Sequence, residues 1–141
     1  SIEQLGNGLH SAGHHEDALS VQEAELSMLR RHGAPEENML ATQSNLANTY
    51  QKLGHHEKAL SMERDVYSGR LRLDGKERYM TLAAANNYAT SLIELGHFEE
   101  AKSLLRKTIP VARRVLGGND DLTLRRRWVY AWAPRRPAAA L

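Results

Sequence analysis

The chain has 141 residues, no cysteine, one phenylalanine, 41% hydrophobic content and a formal net charge of +2. That length suits one domain or a short repeat array, while the missing cysteines exclude a disulfide framework, a Cys-ligated zinc site and a thiol nucleophile. No run approaches the roughly 18 consecutive apolar residues of a membrane span, and the chain opens at Ser1 without a charged-then-apolar leader, so a cytoplasmic protein with no signal peptide is expected.

Charge is unevenly distributed. Residues 1–105 carry ten basic and fifteen acidic side chains, a net −5, whereas residues 106–141 carry nine and two, a net +7. Arg113-Arg114, Arg125-Arg126-Arg127 and Arg135-Arg136 make up most of the basic end. Such clusters release counterions from nucleic acid or anionic lipid, but without an aromatic platform the ordinary reading is a solvated surface.

A repeat dominates the pattern. Gly13-His14-His15-Glu16-Asp17-Ala18-Leu19 returns as Gly54-His55-His56-Glu57-Lys58-Ala59-Leu60 and as Gly96-His97-Phe98-Glu99-Glu100-Ala101-Lys102, at glycine offsets of 41 and 42. Upstream, Asn45-Leu46-Ala47 matches Asn87-Tyr88-Ala89, and Leu40, Leu82 and Leu124 fall 42 apart. Self-similarity at a fixed period is the signature of stacked supersecondary units. Each round reads as two antiparallel helices. Before the glycine, Leu46, Ala47 and Tyr50, then Tyr88, Ala89 and Leu92, form an inward stripe. After it, Ala59, Met62 and Val66, then Ala101, Leu104 and Thr108, form the stripe of the second helix. The glycine provides the positive φ that ends a helix at low cost. Gly33-Ala34-Pro35-Glu36, Leu73-Asp74-Gly75 and Gly117-Gly118-Asn119-Asp120 read as linkers. No segment alternates like a strand. The expected fold is all-α, an α-solenoid of helix hairpins.

This pattern resembles the tetratricopeptide repeat, through Leu46, Ala47, Tyr50, Gly54 and Ala59, then Tyr88, Ala89, Leu92, Gly96 and Ala101, and more loosely Leu5, Gly6, Leu9, Gly13 and Ala18. The 42-residue spacing, with Ser44-Asn45-Leu46-Ala47, Asn86-Asn87-Tyr88-Ala89 and the expected linker Arg114-Val115-Leu116-Gly117, is similar to the kinesin light chain type. The implied organisation is a truncated repeat over 1–33, full repeats over 34–75 and 76–117, a partial fourth repeat over 118–133 and an irregular tail over 134–141. Pro110 is expected to kink the second helix of the third round. Gly6 and Gly8 weaken the first helix by about 1 kcal/mol each. Pro134 interrupts the fourth round where Tyr50 and Leu92 stood in the earlier ones.

Catalytic signals are absent: no glycine-rich nucleotide loop, P-loop or nucleophile elbow occurs. The pairs His14-His15 and His55-His56 diverge by about 100° on a helix and are poorly placed to chelate one ion; His15 and His56 align with Phe98 and read as packing aromatics. Glu36-Glu37 and Glu99-Glu100 sit at helix starts, where they complement the dipole. No enzyme activity, cofactor, metal or small-molecule substrate is expected.

If Leu46, Ala47 and Tyr50 face the core, Ala41, Ser44, Asn45, Asn48 and Lys52 face away. Ala83, Asn86, Asn87, Thr90 and Glu94 are their equivalents, as are Glu3, Gln4, Asn7 and Ser11 in the first round. An Asn amide both donates and accepts, so it can pair with the backbone of an extended peptide. The resemblance implies that these positions line a ligand groove, and kinesin-light-chain-like grooves use Asn there. The expected peptide-binding set is Asn7, Ser44, Asn45, Asn48, Lys52, Asn86, Asn87 and Thr90, on a scaffold for a protein or peptide partner. The plainer alternative for Asn45 and Asn87 is that they tie neighbouring repeats together. Trp128 and Trp132 align with groove positions and could anchor a partner, plug the groove or pack on a further repeat. Other readings are a basic C-terminal face contacting nucleic acid or anionic membrane, and an accessory repeat region of a larger enzyme or signalling protein.

Overall fold

The computed structural model describes residues 14–117. Among these residues there are five helices and no strand: α1 His15–Arg31, α2 Glu36–Lys52, α3 His56–Asp74, α4 Tyr79–Glu94 and α5 Phe98–Leu116. Two compact units divide within α3, one ending at Val66 and the other beginning at Tyr67. Of the positions singled out in the sequence, Leu5, Gly6, Asn7, Gly8, Leu9, Gly13, Arg125–Arg127, Trp128, Trp132 and Pro134 lie outside the described residues.

Helix ends follow from a backbone device that the repeated glycine makes possible. At the end of α2, Gly54 has φ 81°, its N–H donates to the Gln51 carbonyl (3.1 Å), and the His55 N–H donates to the Tyr50 carbonyl (2.8 Å). The end of α4 repeats this with Gly96 at φ 81°, bonded to Ile93 (3.0 Å), and His97 bonded to Leu92 (2.8 Å). This pairing is the Schellman arrangement, which satisfies two otherwise orphaned carbonyls and requires a left-handed residue after the helix. The helix starts are built differently. His14, Pro35, Arg78 and His97 offer no side-chain cap. Acidic residues occupy the first turns of α1 (Glu16, Asp17), α2 (Glu36, Glu37), α3 (Glu57) and α5 (Glu99, Glu100), where they offset the positive helix end. The first turn of α4 holds no acid.

Two linkers are shorter than the sequence pattern suggests. Leu73 and Asp74 are the last residues of α3, and Arg114, Val115 and Leu116 form the last turn of α5. The chain stays helical until Gly75 and Gly117, at φ 85° and 86°, because nothing before these glycines opposes helix. Pro110 lies inside α5, which continues to Leu116; its missing N–H leaves one carbonyl of the preceding turn without its usual donor.

In the first unit α1 packs on α2. Leu26, Leu46, Tyr50 and Ala59 form the buried cluster, with Leu19, Met39 and Met62 partly buried against it. Leu46 and Ala47 are buried as the stripe requires, each Leu-sized side chain contributing about 1.5–3 kcal/mol. A polar pair sits in this core: the Thr49 hydroxyl donates to Gln22 Oε1 at 2.7 Å, with both residues buried. Its partnering avoids a desolvation cost of about 1–3 kcal/mol for an unmet buried group.

In the second unit α4 packs on α5. Leu82, Val111 and Ala112 form a buried cluster with Ala83 and Leu116 against it, and Ala85, Ala89, Leu92, Ala101 and Leu105 are fully enclosed. The small alanines let the two backbones approach closely. Tyr67 and Tyr88 pack in a tilted arrangement, ring centroids 6.0 Å apart and planes at 39°, and the Tyr88 hydroxyl donates to Glu100 Oε2 at 2.7 Å. Arg70, buried, pairs with Asp74 at 3.2 Å, while its carbonyl accepts from the Thr81 hydroxyl at 3.3 Å.

Candidate interaction faces

The residues of the expected peptide-binding set fall on two helices. On α2, Ser44 and Asn45 are half-buried, and Asn48 and Lys52 are exposed. On α4, Asn87 is exposed and Thr90 is half-buried. Asn86 is more enclosed than an open face implies, at 8% exposure, and its Oδ1 has no hydrogen-bond partner among the described residues. The Thr90 hydroxyl donates to the Asn86 backbone carbonyl (2.9 Å), and Thr49 donates likewise to that of Asn45 (3.1 Å). Among the described residues the side-chain amides of Asn45, Asn48, Asn86 and Asn87 make no hydrogen bond. Four amides that the fold leaves uncommitted are the outstanding polar feature of these two helices.

Of the two histidines expected to pack like Phe98, His15 is half-buried as Phe98 is, and His56 is not. His56 aligns with Phe98 in sequence, yet its ring is exposed and its Nδ1 meets Gln51 Oε1 at 2.7 Å. The neighbouring His55 is exposed too, and its ring meets Tyr50 edge-on with centroids 6.2 Å apart. The Schellman turn accounts for that contact, because it brings the residue after the glycine back over the last helical turn. Among the described residues no group of three or more His, Cys, Asp or Glu could hold a metal ion.

Each unit also holds a small cavity that the periodicity did not reveal. The first, of about 250 Å³, lies among Glu23, Leu26, Ser27 and Arg30 of α1, Leu46 and Tyr50 of α2, and Met62 of α3. The Tyr50 hydroxyl donates to Glu23 at its rim. Burial, the negative charge of Glu23 and this hydrogen bond together raise the phenol above its ordinary value, since each disfavours the phenolate. Lys58 Nζ sits 5.7 Å from the centre of the Tyr50 ring, a cation–π contact. The second cavity, of about 170 Å³, lies among Tyr67 and Leu71 of α3, Thr81 and Leu82 of α4, and Lys107, Thr108 and Val111 of α5, with Lys76 from the linker. Of the basic residues proposed for the C-terminal face, Arg113 is exposed and Arg114 is already paired with Glu77 at 2.6 Å. No sequence signal announces these pairings, since their partners lie up to 37 positions apart.

Helix pairs closed by glycine turns at a 42-residue spacing define a helical repeat protein. The tetratricopeptide repeat profile matches residues 39–76 and 81–121, more than half of the chain, and the chain belongs to that family. The solved structures it resembles include the nearly identical TPR-like repeats of a Podosopora anserina kinesin light chain (TM-score 0.84, 20% identity) and a single-substitution variant of them (TM-score 0.85, 19% identity). BtubC (BKLC) from P. vanneervenii is a third (TM-score 0.77, 16% identity). The alignments cover 98–99% of this chain but only 66% of each P. anserina chain and 63% of BtubC, so the chain spans just under two thirds of those proteins' lengths. The fold is thus a tetratricopeptide-type α-solenoid of the kinesin light chain kind. Among curated proteins none matches the sequence. No helix among the described residues is long and apolar enough to cross a membrane.

Proposed function

We propose that the chain is a non-catalytic protein-interaction scaffold, binding an extended peptide or a partner helix in the concave groove of its repeat array. The observation that carries this reading is the set of uncommitted amides at Asn45, Asn48, Asn86 and Asn87. Asn48 and Asn87 are exposed with uncommitted amides, so a ligand backbone can reach them directly. Asn amides serve any peptide backbone because they both donate and accept. Ser44, Lys52 and Thr90 flank them, and the first-round contribution would come from Asn7. Membership of a repeat family whose members act as scaffolds supports the same reading. No cofactor belongs to it, and a cytoplasmic setting accords with the absence of cysteine. Since the array spans only part of its structural relatives, it acts either alone or as the recognition region of a larger protein.

Affinity for such a segment falls near micromolar, because the ligand loses conformational entropy on ordering. A peptide-library screen on the chain, repeated on the Asn45→Ala/Asn87→Ala variant, tests this. A consensus peptide that the variant binds at least tenfold more weakly, at unchanged helicity, is the expected outcome. Binding that ignores both asparagines and falls steeply with added salt would instead place recognition on the basic C-terminal face.

A further inference from the structure

The cavity of the first unit is lined by one charge of each sign over an apolar floor. Leu26 and Leu46 are buried beneath it. Met62, half-buried, closes one side with an unbranched chain that adapts to what lies against it. The volume of about 250 Å³ lies just under the roughly 300 Å³ at which pockets for small-molecule ligands begin. Only a ligand of few atoms fits.

Glu23 and Arg30 bring a carboxylate and a guanidinium to this space, with Ser27 between them on α1. Two helical turns separate them, about 10 Å along the axis. Neither has an opposite charge one turn away in the chain. Around Glu23 stand Leu19, Ser20, Leu26 and Ser27, and around Arg30 stand Leu26, Ser27, Gly33 and Ala34. No ion pair engages either side chain among the described residues. The hydroxyl of buried Tyr50 donates to the Glu23 carboxylate and steadies it, while a carboxylate has further lone pairs with which to accept. Lys58, 5.7 Å from the centre of the Tyr50 ring, is not one of the lining residues.

A simple cation in this cavity would face Arg30, and a simple anion would face Glu23. A molecule carrying both charges answers both. Two charge-assisted hydrogen bonds of about 2.8 Å each leave about 5 Å of the separation for the ligand itself, roughly the length of a chain of four or five carbons.

We propose that this cavity binds a short ω-amino acid, with its ammonium on Glu23, its carboxylate on Arg30 and Ser27, and its methylenes against Leu26, Leu46 and Met62. The molecule is held as a ligand and leaves unchanged. The site shares no residue with the asparagines of the amide faces, so it stands or falls apart from them.

The test is a chemical-shift titration of the full, isotope-labelled chain with 5-aminopentanoate. Saturable shifts centred on the cavity residues of α1, α2 and α3 are expected. Glu23→Gln, which keeps an acceptor for the Tyr50 hydroxyl, and Arg30→Gln change exposed side chains and are each expected to weaken binding at least tenfold. Pentanoate and pentylamine, each lacking one charge, are expected to bind at least tenfold more weakly than the amino acid. Asn45→Ala/Asn87→Ala is expected to change affinity less than twofold. The proposal is overturned by an absence of saturable shifts, by shifts centred elsewhere, by full binding to either charge variant, or by equal binding of pentanoate or pentylamine. Tighter binding of Nα-acetyllysine than of 5-aminopentanoate would also overturn it, handing the site to the C-terminal lysines of proteins.

Discussion

The turn after α2 and the turn after α4 share a backbone and differ in nearly every side chain. Both close with a glycine at φ 81° and the same pair of hydrogen bonds, matched to within 0.1 Å. Around the first, Tyr50 reaches Glu23, His55 and Lys58. At the equivalent place in the second stands Leu92, fully buried. The helices follow suit. Ten of the 16 residues of α4 are buried, against six of the 17 in α2. The first unit therefore holds its turn with polar and aromatic contacts beside an open cavity, and the second with close apolar packing. A repeat needs only the backbone device and a matching stripe to keep its register, and the side chains between are free to diverge.

The largest effect that could break this contrast comes from truncating one fully buried leucine in each unit. Leu92→Ala removes a fully enclosed side chain from tight packing and is expected to cost about 3–4 kcal/mol. Leu46→Ala enlarges a cavity that already exists beside it, so fewer contacts are lost and about 2–3 kcal/mol is expected. Urea denaturation followed by circular dichroism ranks the two. Leu46→Ala proving the costlier would contradict the idea that the first unit is the looser.

The shared backbone makes the complementary prediction, that its two glycines are energetically equivalent. Gly54→Ala and Gly96→Ala each force an alanine to positive φ, at about 1–2 kcal/mol. A Cβ at Gly54 meets nothing within 4 Å, and at Gly96 only the Phe98 Cε2 at 4.0 Å, so neither site adds a clash. Denaturation midpoints of the two variants are expected to agree within about 0.5 kcal/mol. A wide gap would mean that the side chains around the turn, not its backbone, decide its stability.

What the sequence made legible follows the range of the interaction. The glycine spacing, the Leu46-Ala47-Tyr50 and Tyr88-Ala89-Leu92 stripes and the acidic first turns are local, periodic signals, and the helices follow them. Leu73-Asp74 and Arg114-Val115-Leu116 read as linkers in the sequence but are helical, because only the following glycines oppose helix. Alignment with Phe98 marks both His15 and His56 for packing, but it does not show that the His56 ring stays exposed and turns to Gln51. Tyr50 with Glu23, Tyr88 with Glu100 and Arg114 with Glu77 join different helices, or a helix and a linker, and no periodicity encodes such pairs. The cavities were invisible for the same reason. The asparagines could be placed on a face, but the enclosure of Asn86 depends on neighbours that the helix pattern does not name.

The smallest effect concerns Tyr50, the polar counterpart of Leu92, and it appears only in alkali. Burial first, and then Glu23, hold its phenol above the ordinary 10.0, so above about pH 10 the folded chain keeps a proton that the unfolded chain releases. With fewer protons bound in the unfolded state, stability falls as pH rises through this window. The contribution is fully present below pH 10.0 and is lost as the folded-state value is passed. Tyr50→Phe removes the ionisation, and with it one hydrogen bond to an exposed carboxylate, which costs about 0.5–1.5 kcal/mol at neutral pH. Urea midpoints measured from about pH 8 to about pH 11 are expected to converge, as the parent chain loses its advantage while the variant, at this site, does not. Parallel decline of the two curves would show that Tyr50 ionises alike in both states. The polar character of the first turn would then be a matter of neutral contacts alone.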